Sequence, residues 1–182
     1  MPKWSYCRPT ITCGTKPLLL NLSRRPLFFA ATSCSSIHLL GIEPDETDTE
    51  LGYIIPSKRR ENGASYVSKF VEKPTLAAAR ALRRQGALWN AFILAAPVRQ
   101  FIKLYEKRFA ATTADMAALS KIDPSTPRSG WLISGLYQRL DSVDFSRDVL
   151  EGQEPMLRVL TVPNCGWTDL GKMRPKAQTL RR

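Results

Sequence analysis

From Ile37 to Val162, apolar runs of strand length alternate with segments whose apolar residues recur at helical spacing. That alternation predicts an α/β layer fold, because a strand face and a helix stripe can each bury their apolar side only against the other. Ile37–Ile42 reads as a buried strand and is followed by an acidic turn, Glu43-Pro-Asp-Glu-Thr-Asp48. Tyr66–Val71 is a second strand, rich in β-branched and aromatic residues. Pro74-Thr75 then opens a helix, with Thr75 as N-cap, and its Ala- and Leu-rich turns run to a stop at Gly86. Leu88–Leu94 is a third strand. Pro97 opens a helix that places Phe101, Leu104, Tyr105 and Phe109 on one stripe. Short helices are expected at 113–122 and 131–140, then a last strand at Leu157–Val162 and a turn over 163–169.

At 182 residues the chain has room for one domain with a real core and no obvious room for two. No run approaches 18 consecutive apolar residues, which excludes a spanning helix. The net charge of +11 suggests nucleic acid, but its distribution argues against it. Residues 1–42 carry five Lys/Arg and no acid, as do residues 171–182; the remaining 17 Lys/Arg face all 16 Asp/Glu. A nucleic-acid module gathers its cations on one face of the folded part, whereas here the excess sits in the two ends.

Cys7, Cys13, Cys34 and Cys165 form no CxxC pair and the single histidine is His38, so neither a zinc site nor a disulfide framework is indicated. A reduced, cytoplasmic protein is expected. One histidine inside an apolar run also argues against Ser-His-Asp and Cys-His hydrolases. Residues 1–36 form an atypical basic segment with four prolines and no carboxylate. It faintly imitates a signal or transit peptide, but its basic part is too long and its apolar run too short. A disrupted start is the preferred reading of it.

Four segments each place polar groups at the end of an apolar strand: Glu50-Leu-Gly-Tyr-Ile54, Phe70-Val-Glu-Lys-Pro74, Leu88-Trp-Asn90 and Gly166-Trp-Thr-Asp169. In open α/β sheets ligands collect in the crevice at strand C-termini, so a site is expected there. Their order and spacing resemble the sugar-1-phosphate nucleotidyltransferases, and within them the bacterial mannose-1-phosphate guanylyltransferases. Leu39-Leu-Gly-Ile-Glu-Pro44 and Thr49-Glu-Leu-Gly-Tyr-Ile54 resemble the stretch leading into that family's sugar loop. Glu72-Lys-Pro74, Trp89-Asn90, Ser142-Val-Asp-Phe145 and Gly166-Trp-Thr-Asp-Leu-Gly171 resemble its other signatures.

The resemblance covers about residues 37–171 and implies a Rossmann-like mixed sheet flanked by helices, of the nucleotide-diphospho-sugar transferase type and incomplete at its N-terminus. It makes residues 37–171 the sugar-binding C-terminal part and 172–182 a basic tail. It implies formation of GDP-mannose from mannose 1-phosphate and GTP with Mg²⁺, releasing pyrophosphate; a homo-oligomer is compatible with it. Gly52, Glu72, Lys73, Asn90 and Asp144 would contact the sugar phosphate, Lys73 and Asp169 would serve catalysis, and Asp169 would hold the metal. Each residue also has a plainer reading. Gly52 and Asp169 can shape turns, Glu72 and Lys73 can be solvated, Asn90 can cap a strand end, and Asp144 can be the N-cap of Phe145–Leu150. Trp89 reads as core.

The chain departs from the family in four places. No Gly-rich triphosphate loop is present, Gly14 being alone among residues 1–40, and no Asp precedes Asp45 as a second metal ligand. Ala91-Phe92 stands where many relatives have a glycine after Trp-Asn, and Leu51 where an aromatic residue is common. The expectation is therefore an impaired transferase, with a non-catalytic sugar-phosphate-binding or interaction domain as the alternative.

Overall fold

The computed structural model describes residues 35–167 together with Asp169. The expectations for the N-terminal segment, apart from Ser35 and Ser36, and for the basic tail lie outside the described residues. In chain order the elements are β1 (Ile37–Ile42), β2 (Tyr53–Glu61), β3 (Ala64–Val71), α1 (Leu76–Arg84) and β4 (Leu88–Ala95), followed by α2 (Val98–Arg108), α3 (Ala110–Leu119) and α4 (Pro127–Tyr137). A π-helical turn (Phe145–Leu150), a 3₁₀ turn (Glu154–Met156) and β5 (Leu157–Val162) complete them.

The strands form the expected mixed sheet flanked by helices. Its order is β1-β4-β2-β3-β5, and β5 pairs back onto β1, so the ladders close a ring. The β1–β5 pair is parallel and the other four are antiparallel. Closure through Ser65↔Val159 and Tyr66↔Arg158 corrects the picture of an open sheet with a crevice at its strand C-termini. All six residues of β1 are buried, as a continuous apolar run requires when both faces of a strand are covered.

Alternation along the strands builds two cores. Leu40, Ile42, Tyr53, Trp89, Leu160 and Val162 pack on one face with Ala79 and Leu82 of α1. Ile37, Leu39, Ile54, Phe70, Leu157 and Val159 pack on the other with Leu104 of α2 and Val149 and Leu150 of the π-helical turn.

Local signals account for most boundaries. Thr75 Oγ1 accepts the Ala78 amide at 3.4 Å, and Gly86 leaves α1 in the left-handed region at φ +77°. Helices α3 and α4 begin three to four residues earlier than their spacing suggested. Pro127 at the first turn of α4 was the available marker, and α3 buries no residue to register against.

Strand β2 was not anticipated. Its outer half, Lys58-Arg-Arg-Glu61, is exposed and charged, and it pairs because the hairpin turn Asn62-Gly63 takes φ of +50° and +83°. Positive φ at both central residues is what a two-residue turn matched to strand twist demands.

Candidate functional site

The strand register places three candidate residues in one row. Tyr53 pairs with Val71 of β3 on one side and with Trp89 of β4 on the other. Gly52, one residue earlier, therefore lies between Glu72 and Asn90. The Asn90 amide donates to the Gly52 carbonyl at 2.8 Å, and Asn90 in turn pairs with Gly41 of β1. The site thus lies where the end of β3 meets the beginnings of β2 and β4. Asn90 is the third residue of its strand and not at its C-terminal end.

A side chain at Gly52 would have to displace the Glu72 carboxyl. A Cβ on Gly52 would stand 2.5 Å from Glu72 Oε2, 3.3 Å from Asn90 Cβ and 3.4 Å from Phe70 Cζ. The room expected for a sugar ring is occupied by the Glu72 carboxyl itself.

Glu72 is half-buried, and its Oε2 is a buried acceptor without a hydrogen-bond partner. Burial, and then the negative charge of Asp144, raise its carboxyl above the ordinary carboxylate range. Lys73, a hydrogen bond from Ser146 and Arg147 act in the opposite direction.

Asn90 is 6% exposed and engaged at both ends. Its Oδ1 accepts the Phe92 amide at 3.1 Å, and its Nδ2 stands 3.5 Å from Ser146 Oγ. The β1–β4 register shifts between Leu39 and Gly41, opposite Leu94 and Asn90, so β4 bulges over residues 91–93. Phe92 sits in that bulge at φ +55°, and Asn90 satisfies the amide that the ladder leaves unpaired. The left-handed residue falls at the Ala91-Phe92 departure, where many members of the resembled family have glycine.

Asp144 takes up its plainer role directly. Its Oδ1 accepts the Arg147 amide at 3.0 Å, while Asp148 Oδ2 accepts the Asp144 amide at 2.7 Å. Its charge nonetheless reaches Glu72. Lys73 is exposed at φ +43°, just past β3. Trp89 belongs to the core, as expected, with its ring 6.4 Å from that of Trp167. Asp169 is exposed two residues beyond Trp167.

Among the described residues no three His, Cys, Asp or Glu side chains gather into a metal-holding group. Mg²⁺ fits only as an ion held by one or two carboxylates and completed by substrate phosphate and water, and Asp169 is the carboxylate the resemblance offers.

Ser146 and Arg147 were missed by sequence reasoning, although they directly follow the Ser142-Val-Asp-Phe145 segment. The signal for both was their position in the turn that Asp144 caps.

No family model matches the sequence, and no curated protein matches it. Among solved structures it is similar to mannose-1-phosphate geranyltransferase from Thermus thermophilus, with a TM-score of 0.72 and 22% identity over 88% of this chain and 44% of that one. It is also similar to mannose-6-phosphate isomerase from Helicobacter pylori, with a TM-score of 0.65 and 16% identity over 87% of this chain and 60% of that one. The chain therefore spans less than two thirds of either protein. At such identities the likeness shows a shared fold. Among the described residues no helix is long and apolar enough to cross a membrane.

Proposed function

We propose that the row Glu72–Gly52–Asn90 is the sugar-recognition site of a nucleotidyltransferase-like protein that takes mannose 1-phosphate as its sugar phosphate. The observation that carries this reading is the convergence of three signature residues, separate in sequence, around a buried and unpartnered carboxylate oxygen. Both structural neighbours have a mannose phosphate in their names, which supports the same substrate class. Glu72 Oε2 accepts from a sugar hydroxyl, and Lys73 and Arg147, both exposed and both acting on Glu72, are the cations for the phosphate.

In the full reaction an oxygen of the sugar 1-phosphate attacks the α-phosphorus of GTP, a new P–O bond forms, the α–β bridging P–O bond breaks, and pyrophosphate leaves with the electron pair. This chain's residues contribute alignment and charge, with no protein nucleophile. Mg²⁺, when bound, supplies charge neutralisation on the phosphates. A second reading, a binding domain without turnover, rests on the same row of residues, which would recognise a sugar phosphate whether or not it is turned over.

Two measurements test these readings. Calorimetry with mannose 1-phosphate is expected to show weak binding, near the millimolar end; no binding overturns the site. Pyrophosphate release with GTP, mannose 1-phosphate and Mg²⁺ is expected to stay far below the roughly 1–10³ per second of ordinary enzymes. Turnover in that range decides for the transferase over the binding domain.

A further inference from the structure

Helix α1 carries three arginines on one side. Arg80, Arg83 and Arg84 fall at i, i+3 and i+4, the spacing that makes side chains neighbours on a helix surface, and all three are exposed. Ala79 and Leu82 anchor the helix in the core. Cations at a helix C-terminus complement the helix dipole, which accounts for Arg83 and Arg84 in the last turn. The dipole does not account for Arg80, nor for the wall that faces it.

That wall is the turn after β1. The Glu43 amide donates to the Val162 carbonyl at 2.9 Å and the Asp48 amide to the Tyr53 hydroxyl at 3.0 Å, so the turn is pinned at both ends. Arg83 ties helix to turn, its Nη2 donating to the Asp45 carbonyl at 2.9 Å. Between helix and turn lies a cleft of about 360 Å³ lined by Thr47, Arg80, Arg83 and Arg84. The turn also carries Glu43, Asp45 and Glu46, yet among the described residues no ion pair joins any of the three arginines to a carboxylate. Three guanidiniums and one hydroxyl therefore line a preformed concavity without a protein anion to neutralise them.

We propose that this cleft binds an oligophosphate, a chain of two or more phosphates. Guanidinium forks match phosphate oxygens bidentately, and the Thr47 hydroxyl adds a neutral donor. A single phosphate group carries about −1.5 to −2 charges near pH 7, so three guanidiniums match a ligand with more than one. The cleft is separate from the sugar row: Arg84 stands about 13 Å along the helix axis from Thr75, at 1.5 Å per residue, and Thr75 directly follows Glu72-Lys73-Pro74. The site does not rest on the sugar-phosphate reading.

Calorimetry with inorganic pyrophosphate on the wild type, Arg80→Ala, Arg84→Ala, Thr47→Val and Arg99→Ala tests it. Arg99 is an exposed guanidinium on α2, so its removal changes the net charge equally. Arg80→Ala and Arg84→Ala are each expected to weaken binding roughly tenfold, Thr47→Val less, and Arg99→Ala not at all. In amide NMR, pyrophosphate is expected to shift Thr47 and the second half of α1. A second arm uses GDP, which carries two phosphates on a nucleoside. Equal or weaker GDP binding identifies the free anion as the ligand, and tighter binding identifies a nucleoside diphosphate. No binding by the wild type, unchanged affinity in both α1 variants, equal losses in Arg80→Ala and Arg99→Ala, or shifts confined to residues outside the cleft would overturn the proposal.

Discussion

The Phe92 amide donates to Asn90 Oδ1 at 3.1 Å while Phe92 itself holds φ of +55°. One hydrogen bond therefore both completes the β4 bulge and fixes the direction of the site's carboxamide. The arrangement is strained, because an L-residue with a Cβ loses roughly 1–2 kcal/mol in the left-handed region. Phe92→Ala keeps that strain and gives up the edge contact with Phe145, worth about 0.5–1.5 kcal/mol. Phe92→Gly gives up the contact and relieves the strain. Chemical denaturation should find the Gly variant more stable than the Ala variant by about 1 kcal/mol.

Gly41 and Gly52 flank Asn90 on either side, and their alanine variants should fail in different ways. A Cβ on Gly41 meets Val159 Cγ2 at 2.7 Å and Leu88 Cδ1 and Cβ at 2.8 and 2.9 Å, all inside the packed sheet. Gly41→Ala should cost about 1–3 kcal/mol of stability. At Gly52 the closest atom is the end of a flexible side chain, so Gly52→Ala should push the Glu72 carboxyl aside at smaller cost. Thermal unfolding of both variants, with mannose 1-phosphate calorimetry on Gly52→Ala, checks the contrast. Binding retained by Gly52→Ala would count against Glu72 as the sugar acceptor.

His38 should make stability fall in mildly acidic solution. It is buried in β1, its Nδ1 has no hydrogen-bond partner, and burial followed by the Arg158 guanidinium lowers its pKa below the ordinary 6.5, with Glu61 opposing. As pH drops below about 6.5 the unfolded chain takes up a proton that the folded chain resists, so unfolding becomes easier. Denaturation midpoints from pH 7.5 downward should show this slope in the wild type and lose it in His38→Gln. The Glu61 carboxylate, lowered chiefly by its hydrogen bond from Arg158, acts only further down, in the carboxylate range.

Phosphate recognition should depend on two cations. Lys73→Ala should weaken mannose 1-phosphate binding by roughly 1–3 kcal/mol, since a charged hydrogen bond is lost. Arg147→Ala should weaken it in the same direction. Lys103→Ala, on the exposed side of α2, should change nothing. Calorimetry with the phosphorylated sugar and with free mannose separates charge recognition from a general loss of the site, because binding of free mannose should be unaffected by either cation variant.

Much of the fold is legible as periodicity. A hexamer that is apolar but for His38, Ile37–Ile42, can hardly lie anywhere but the sheet interior, and Thr75 and Gly86 bracket α1 by chemistry local to a few residues. Strand β2 escaped because its charged half carries no apolar alternation; its signal was the Asn62-Gly63 turn, which the run of charges masked.

By itself the sequence determined which segments are apolar, where α1 starts and stops, and that Gly52, Glu72, Lys73 and Asn90 fall in segments that resemble known signatures. These are properties of neighbours along the chain, whose geometry is set by short-range sterics and hydrogen bonds. Only the tertiary structure decided that Glu72, Gly52 and Asn90 share one row, that the ladder closes through β5, and that Ser146 reaches Asn90 from 56 residues away. Those contacts depend on strand register, and register is settled by which faces the two cores bury together. No single segment carries that information, because the same alternating run can pair in several registers until its partners are in place.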